Sequence, residues 1–465
     1  MDRDPAHRAG VSQDHAGAWQ ALEPSARAQR RLVARLAARL GLRHLALAED
    51  AVQTAVLRAL ERWPAQGVPD QPEAWLYRVA HHAAIDVLRR EAGHEAWPDD
   101  AEDPDGASTS MDPLAVAPPP SRFSSELDDD ELALLFAACH PSWPQATQVA
   151  MALRTLAGLA LGDVACAMLS TEAAIAQRLA RARSLMAGEP LVVPAGEALP
   201  ARRDSVLTVL SLMFLAAQRG DVGPVGPAPS APQESHQRIR QACWEAIRLA
   251  RAVATHPACA HPDADALAAL LLFHGARLTG RLDDAGEIVP LPGQARDRWD
   301  AGMLRLGLHH LRRAQRAARL SRWHLQAGIA AEHALAPSYA ATDWPAIVRH
   351  YDALLRIDAS ASPSLGHAIA LVESGQARSG LDRLMALLPD VPSALKAHTL
   401  AAVAQAEQRL GLFDEARQHL QQAVLAAPRP ADARMLARRL ALLQTPVATG
   451  PEPAEDGTLR RAPGR

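Results

Sequence analysis

Apolar residues recur along this chain at the period of an α-helix, and that recurrence governs what it can fold into. Leu76, Val79, Ala80, Ala83 and Val87 follow i, i+3, i+4, i+7 and i+11, a single apolar stripe. Val52, Val56, Ala59, Leu60 and Trp63 make another, which Pro64 is expected to end and Gly67-Val68-Pro69-Asp70 to turn. Strand-favouring residues are sparse beside Ala, Leu and Arg, and aromatics are only 4% of 465 residues. The expectation is therefore an all-α fold, against a sandwich or barrel.

Composition divides the chain. Residues 1–24 read as a flexible N-terminus, 25–92 as a small helical domain and 132–190 as a second. Between them, 93–131 is an acidic, Pro-rich linker. It holds Asp99, Asp100, Glu102, Asp103, Asp105 and Asp112, then Pro118-Pro119-Pro120, then Asp128-Asp129-Asp130-Glu131. Such a stretch buries too little apolar surface to offset its chain entropy. Residues 200–445 form a long helical series, broken by the Pro/Gly-rich segment 220–232, and 446–465 read as a disordered tail.

The second small domain has the pattern of a helix-turn-helix. A short helix covers about Gly162–Leu169, and Ser170-Thr171-Glu172 makes a turn with an N-cap. A second helix then runs to Met186 with Ile175, Leu179, Ala182 and Met186 inward. Its outer face offers Glu172, Ala174, Gln177, Arg178 and Arg181, groups able to reach base edges or phosphates. A hairpin held together only by packing can carry a few arginines too. In the last zone, Gly411-Leu412-Phe413-Asp414-Glu415-Ala416 with Ala423 and Pro428 fits a tetratricopeptide-like unit. That unit needs small residues where helices touch, an aromatic between them and a closing proline. A weaker copy has Gly375, Gly380, Leu384 and Pro389, and a third starts at Asp343-Trp344. Stacked units of this kind leave a concave surface suited to a partner.

Taken in order, these motifs resemble a known family. The stretch Leu47-Ala48-Glu49-Asp50-Ala51-Val52-Gln53-Thr54-Ala55-Val56-Leu57-Arg58-Ala59-Leu60 resembles the core-binding helix of bacterial sigma factors of the extracytoplasmic-function (sigma-24-like) type. Pro72 to Glu91 resembles the helix that follows it, and Leu161 to Arg183 is similar to the family's minus-thirty-five reader. Cys243-Trp244-Glu245-Ala246, Arg298-Trp299-Asp300 and Thr342-Asp343-Trp344 are similar to a subgroup with a tetratricopeptide-like C-terminal extension. The resemblance implies two sigma domains, the second a helix-turn-helix, followed by a helical-repeat regulatory domain. It implies that Asp50, Gln53, Leu57 and Arg58 dock core RNA polymerase. Trp75, Arg78, His81, His82, Arg89 and Arg90 then flank the opened minus-ten strand, where cations track phosphate and flat groups meet bases. Thr171, Glu172, Ala174, Gln177, Arg178 and Arg181 enter the major groove of promoter DNA at the minus-thirty-five element. The implied partners are core polymerase, promoter DNA and a small YCII-like protein. The chain departs from the family at His81-His82, where a more basic pair is usual, and after Arg181, where further cations are usual. Weaker general DNA affinity is the expected consequence.

Other chemistries find little support. There is no GxxxxGK[ST] phosphate loop and no HExxH pair, so neither an enzyme nor a cofactor is expected. Cys139-His140 with Cys166 makes a zinc site conceivable, but buried structural cysteine is the preferred reading, and no metal is expected. Four cysteines without a CxxC pair do not make a disulfide framework. No apolar run reaches the roughly 18 residues of a membrane span, and Met1-Asp2-Arg3-Asp4 lacks the order of a signal peptide. A cytoplasmic protein without membrane contact is expected. The alternative is a helical-repeat scaffold whose sigma-like part has lost promoter binding.

Overall fold

The computed structural model describes residues 25–40, 44–91, 130–140, 142–155, 159, 161–188, 198–219, 232–283 and 285–444. The expected flexible N-terminus, the tail from 446 and the linker up to 129 lie outside them. Regular structure among the described residues is helical, apart from one antiparallel bridge between Leu282 and Ile288. The all-α reading therefore holds. The chain divides into two units, one spanning residues up to 280 and 295–338, the other spanning 281–294 and residues from 339.

The first unit begins with α1 (Ser25–Leu40), α2 (Leu45–Gln66) and α3 (Pro72–Glu91), packed on one another. Helix α2 buries Ala48, Ala51, Val52, Ala55, Ala59 and Trp63, a mostly alanine stripe that lets its neighbours approach closely. Val56 and Leu60, expected inside, are only half-buried. Pro64 does not end α2. It removes only the N–H that would reach Leu60, and the helix continues to Gly67. There φ is +84°, and the Gly67 N–H donates to the Trp63 carbonyl at 2.9 Å.

Next come α4 (Asp130–Ala138), α5 (Gln145–Thr155), α6 (Leu161–Ala167) and α7 (Glu172–Gly188). Every residue from Leu132 to Cys139 is buried. A helix apolar on all sides has to be enclosed. Helix α4 meets α1, α5, α8 (Ala198–Arg219) and α9 (Pro232–Thr255). The unit is completed by α10 (Pro262–Ala276), α11 (Ala301–Ala314) and α12 (Arg322–Leu335). Helix α10 is again almost wholly buried, with α9, α11 and α12 packed against it. One continuous apolar core runs from Leu32 in α1 to Ala334 in α12.

That continuity runs across residue 200, where the sequence reading placed a boundary. The helices from 198 to 338 are not part of a separate 200–445 domain, because α4 and α5 bury their apolar surface against α8. Polar contacts join the same elements. Arg202 of α8 is buried and donates from a terminal guanidinium nitrogen to the Phe136 carbonyl at 3.0 Å, at the end of α4. Asp204 accepts from Gln145 Nε2 at the start of α5 (2.8 Å) and from Arg322 at the start of α12 (3.0 Å).

The second unit contains three helix pairs. They are α13 (Trp344–Leu355) with α14 (Ala361–Glu373), α15 (Ala377–Leu387) with α16 (Ser393–Arg409), and α17 (Phe413–Ala426) with α18 (Pro430–Gln444). Gly375 and Gly411, with φ of +88° and +78°, follow α14 and α16. Gly380 lies against α14 so tightly that a Cβ would sit 2.9 Å from the Ala368 carbonyl oxygen. This is the small residue expected where helices touch. Phe413, read as the aromatic between them, is instead mostly exposed. The Glu373 carboxylate is buried and accepts from Arg409 at 2.8 Å. Residues 281–294 lie on α18 through Glu287, which accepts from Arg434 Nε at 2.8 Å.

Candidate polymerase and promoter interface

The outer face of α2 is set by what its inner face buries. Asp50, Gln53 and Leu57 stand on the side away from the alanine stripe, and Arg58 is exposed beside them. Leu57 is 61% exposed. An apolar side chain held in water among short polar groups, on a helix fixed by its buried face, suits a selective protein contact.

Helix α3 is more divided than expected. Arg78, His82, Arg89 and Arg90 are exposed, and Arg90 Nε donates to the Asp86 carbonyl one turn earlier at 3.2 Å. Trp75 is only 8% exposed and meets Trp63 edge-on, with ring centroids 5.6 Å apart. Trp75 is a packing residue between α2 and α3, because its ring is occupied by Trp63 and unavailable to an unstacked base. His81 is half-buried, and burial, then Arg39 and then His82, lower its pKa. At neutral pH it is an uncharged ring and adds no cation to phosphate tracking. Its neighbour Tyr77, which sequence reasoning missed, stacks against it at 6.1 Å and lies under Arg35 at 5.2 Å. Tyr77 and His81 are one helical turn apart, so their i, i+4 spacing was the available signal. Together they are the flat pair of this surface.

Helices α6 and α7, read from the sequence as a helix-turn-helix, are joined by a tight turn. The turn passes through Leu169 at φ +50°, a left-handed conformation that costs a side chain-bearing residue about 1–2 kcal/mol. Thr171 Oγ1 accepts from the Ala174 N–H at 3.2 Å and caps α7, as expected. Ile175, Leu179 and Ala182 are buried, and Gln177 and Arg181 are exposed. The side chain of Met186 lies outside the described residues. Arg178 is half-buried, 3.5 Å from Ser170 Oγ. Ala174 is half-buried as well. Glu172 folds back over α6, so that a Cβ on Gly162 would lie 2.9 Å from its Oε1. That contact braces the turn.

Cys139 at the end of α4 is buried, and burial pushes its thiol up to about 12, with nearby Arg202 pulling the other way. This is an inert packing thiol. No cluster of three or more His, Cys, Asp or Glu side chains suited to a metal occurs among the described residues, and the Cys166 side chain lies outside them. No helix among the described residues is long and apolar enough to cross a membrane.

Comparisons with known proteins match this layout in part. Residues 26–93 match Sigma-70 region 2, the block built from α1, α2 and α3. Residues 202–315 match a family of unknown function, DUF6596, which covers most of α8 to α11. An uncharacterized protein of Rhizobium meliloti (strain 1021) is 32% identical over 415 residues, covering 88% of this chain and 92% of the relative. No solved structure matches the chain. The Sigma-70 region 2 supports a sigma-like role in transcription initiation. The chain belongs to one family with that relative, and its first three helices form a block similar to Sigma-70 region 2.

Proposed function

We propose that the protein is a sigma factor of the extracytoplasmic-function type that docks core RNA polymerase and reads both promoter elements. The observation that carries the reading is the outer face of α2, where Asp50, Gln53 and exposed Leu57 line one side of a helix whose other side is sealed. Arg58 extends that docking face. Arg78, His82, Arg89 and Arg90, with the Tyr77–His81 pair, track the opened minus-ten strand. Gln177, Arg178 and Arg181 read the minus-thirty-five duplex, each good paired contact giving about 1–3 kcal/mol of base discrimination. Thr171 and Glu172 hold the reading helix in place.

The two readers must part to reach separate elements on one duplex. Here α1 packs against α4, an arrangement that holds the protein off DNA until polymerase binds. The helices 198–338 travel with the helix-turn-helix, and the helix pairs from 339 onward are the regulatory surface. A small YCII-like protein as its partner rests on resemblance alone. Binding of the full chain to core polymerase, measured with Asp50→Ala and Leu57→Ala, tests the docking face. Weakened binding from variants that melt like the unaltered protein supports it. Equal binding by both variants sinks it and favours the helical-repeat scaffold.

A further inference from the structure

Helix α11 turns an arginine-rich face outward, beside the exposed Leu306 and after its capping Asp300. Its inner side is fixed by packing and by a buried polar cluster. A Cβ on Gly307 would stand 2.7 Å from the Phe273 ring, so α11 lies directly on α10. His310 Nδ1 is 2.7 Å from Asp265 Oδ1, and both residues are buried. Arg313 Nε donates to Asp265 Oδ2 at 3.1 Å, and its guanidinium also reaches the Ala254 carbonyl at 3.2 Å. These contacts set the rotation of α11 about its axis.

Opposite that side stand Arg305, His309 and Arg312 at i, i+4 and i+7, with Arg316 in the following turn and Arg319 just beyond. All five are exposed. Residues 301–320 contain no Asp or Glu. Among the described residues, none of Arg305, Arg312, Arg316 and Arg319 makes an ion pair, whereas Arg313 is held by Asp265. The strip from Arg305 to Arg316 is about 16 Å long at 1.5 Å per residue. That length spans roughly five phosphates of one DNA strand at 3.4 Å each. It carries no aromatic residue. The charge-poor, aromatic centre of a protein–protein interface is absent from it. Its composition is that of a surface that tracks phosphate.

We propose that this face of α11 binds the phosphate backbone of duplex DNA without regard to sequence. The inference rests on the sigma-factor reading only in naming DNA as the polyanion. Such a surface gives a protein with a reduced set of cations at its readers a second hold on the duplex, supplied by helices that share its core.

The test uses the full chain and a fluorescent duplex that lacks promoter elements, with no polymerase present. Anisotropy gives the affinity from 50 to 200 mM salt. The variant is Arg305→Gln/Arg312→Gln/Arg316→Gln, and a charge-matched control carries Arg349→Gln/Arg356→Gln/Arg383→Gln in the second unit. At about 0.9 of a counterion per phosphate contact, losing three contacts lowers the log–log salt slope by about 2.7, and affinity at 0.1 M salt falls by up to about 500-fold. The control is expected to keep the slope of the unaltered protein. Equal slopes for the α11 variant and the unaltered protein overturn the proposal, as does an equal loss in the control. Because no promoter or polymerase enters this assay, its result is independent of whether the chain directs initiation.

Discussion

Replacing Arg202 by methionine probes whether the helices after 198 are part of the helix-turn-helix fold. Arg202 is 6% exposed, and its guanidinium donates to the Phe136 carbonyl at 3.0 Å, where α4 runs out of intrahelical partners. Methionine keeps the apolar stem and removes the charged donor. A hydrogen bond from a charged group is worth about 1.5–3 kcal/mol, and the Phe136 carbonyl keeps the Cys139 N–H as a second donor at 3.3 Å, so no stranded acceptor adds to the loss. Against this stands the cost of keeping a guanidinium out of water, visible in the lowered pKa of Arg202, whose first cause is burial. The balance is a loss of about 1 kcal/mol, roughly a fivefold fall in the folding equilibrium. Urea unfolding measures the total, and hydrogen exchange locates it. Exchange is expected to rise together in α4–α7 and α8–α12 and to stay unchanged in α13–α18. Faster exchange confined to α8, or a stability change within about 0.5 kcal/mol, refutes the shared core.

Other substitutions test smaller pieces. Leu169→Gly removes a left-handed strain of about 1–2 kcal/mol and adds about 0.4–1 kcal/mol of unfolded-state entropy. A net gain of up to about 1 kcal/mol is expected, read as a rise in melting temperature. Gly307→Ala drives a methyl into Phe273 and is expected to cost about 1–3 kcal/mol in urea unfolding. His333, whose pKa is lowered to about 4 by burial, then by Arg277 and Arg296, makes the first unit pH-sensitive. Its folded pKa lies below the unfolded value, so the unfolded chain binds the extra proton. Stability is complete above about pH 6.5 and falls as pH drops toward 4, by an order of 3 kcal/mol. His333→Gln is expected to flatten that part of the pH–stability curve.

The helical period made the all-α fold and the inner face of α7 legible from residues alone. Ile175, Leu179 and Ala182 sit where their spacing puts them. The period could not show which aromatic faces outward. Trp75 and Tyr77 lie two positions apart, and only the encounter with Trp63 decides that Trp75 is the buried one. The packing across residue 200 was not legible for a related reason. A short, wholly apolar helix such as 132–138 tells that it must be enclosed, but its enclosing partner, α8, lies more than sixty residues further along the chain, across 189–197. Pro64 marked a stop because proline disfavours helix interiors, yet in a last turn its missing N–H is a small loss. Asp50, Gln53, Leu57 and Arg58 were named by resemblance, and the exposure of Leu57 is what the structure adds.

The central claim meets its most direct test in run-off transcription with purified core polymerase and genomic promoter fragments, with and without this protein. The account predicts specific new transcripts that depend on the protein, are lost with Asp50→Ala through failed docking, and are weakened with Arg178→Ala while core binding is kept. A folded sample that binds no core polymerase and yields no new transcript contradicts it.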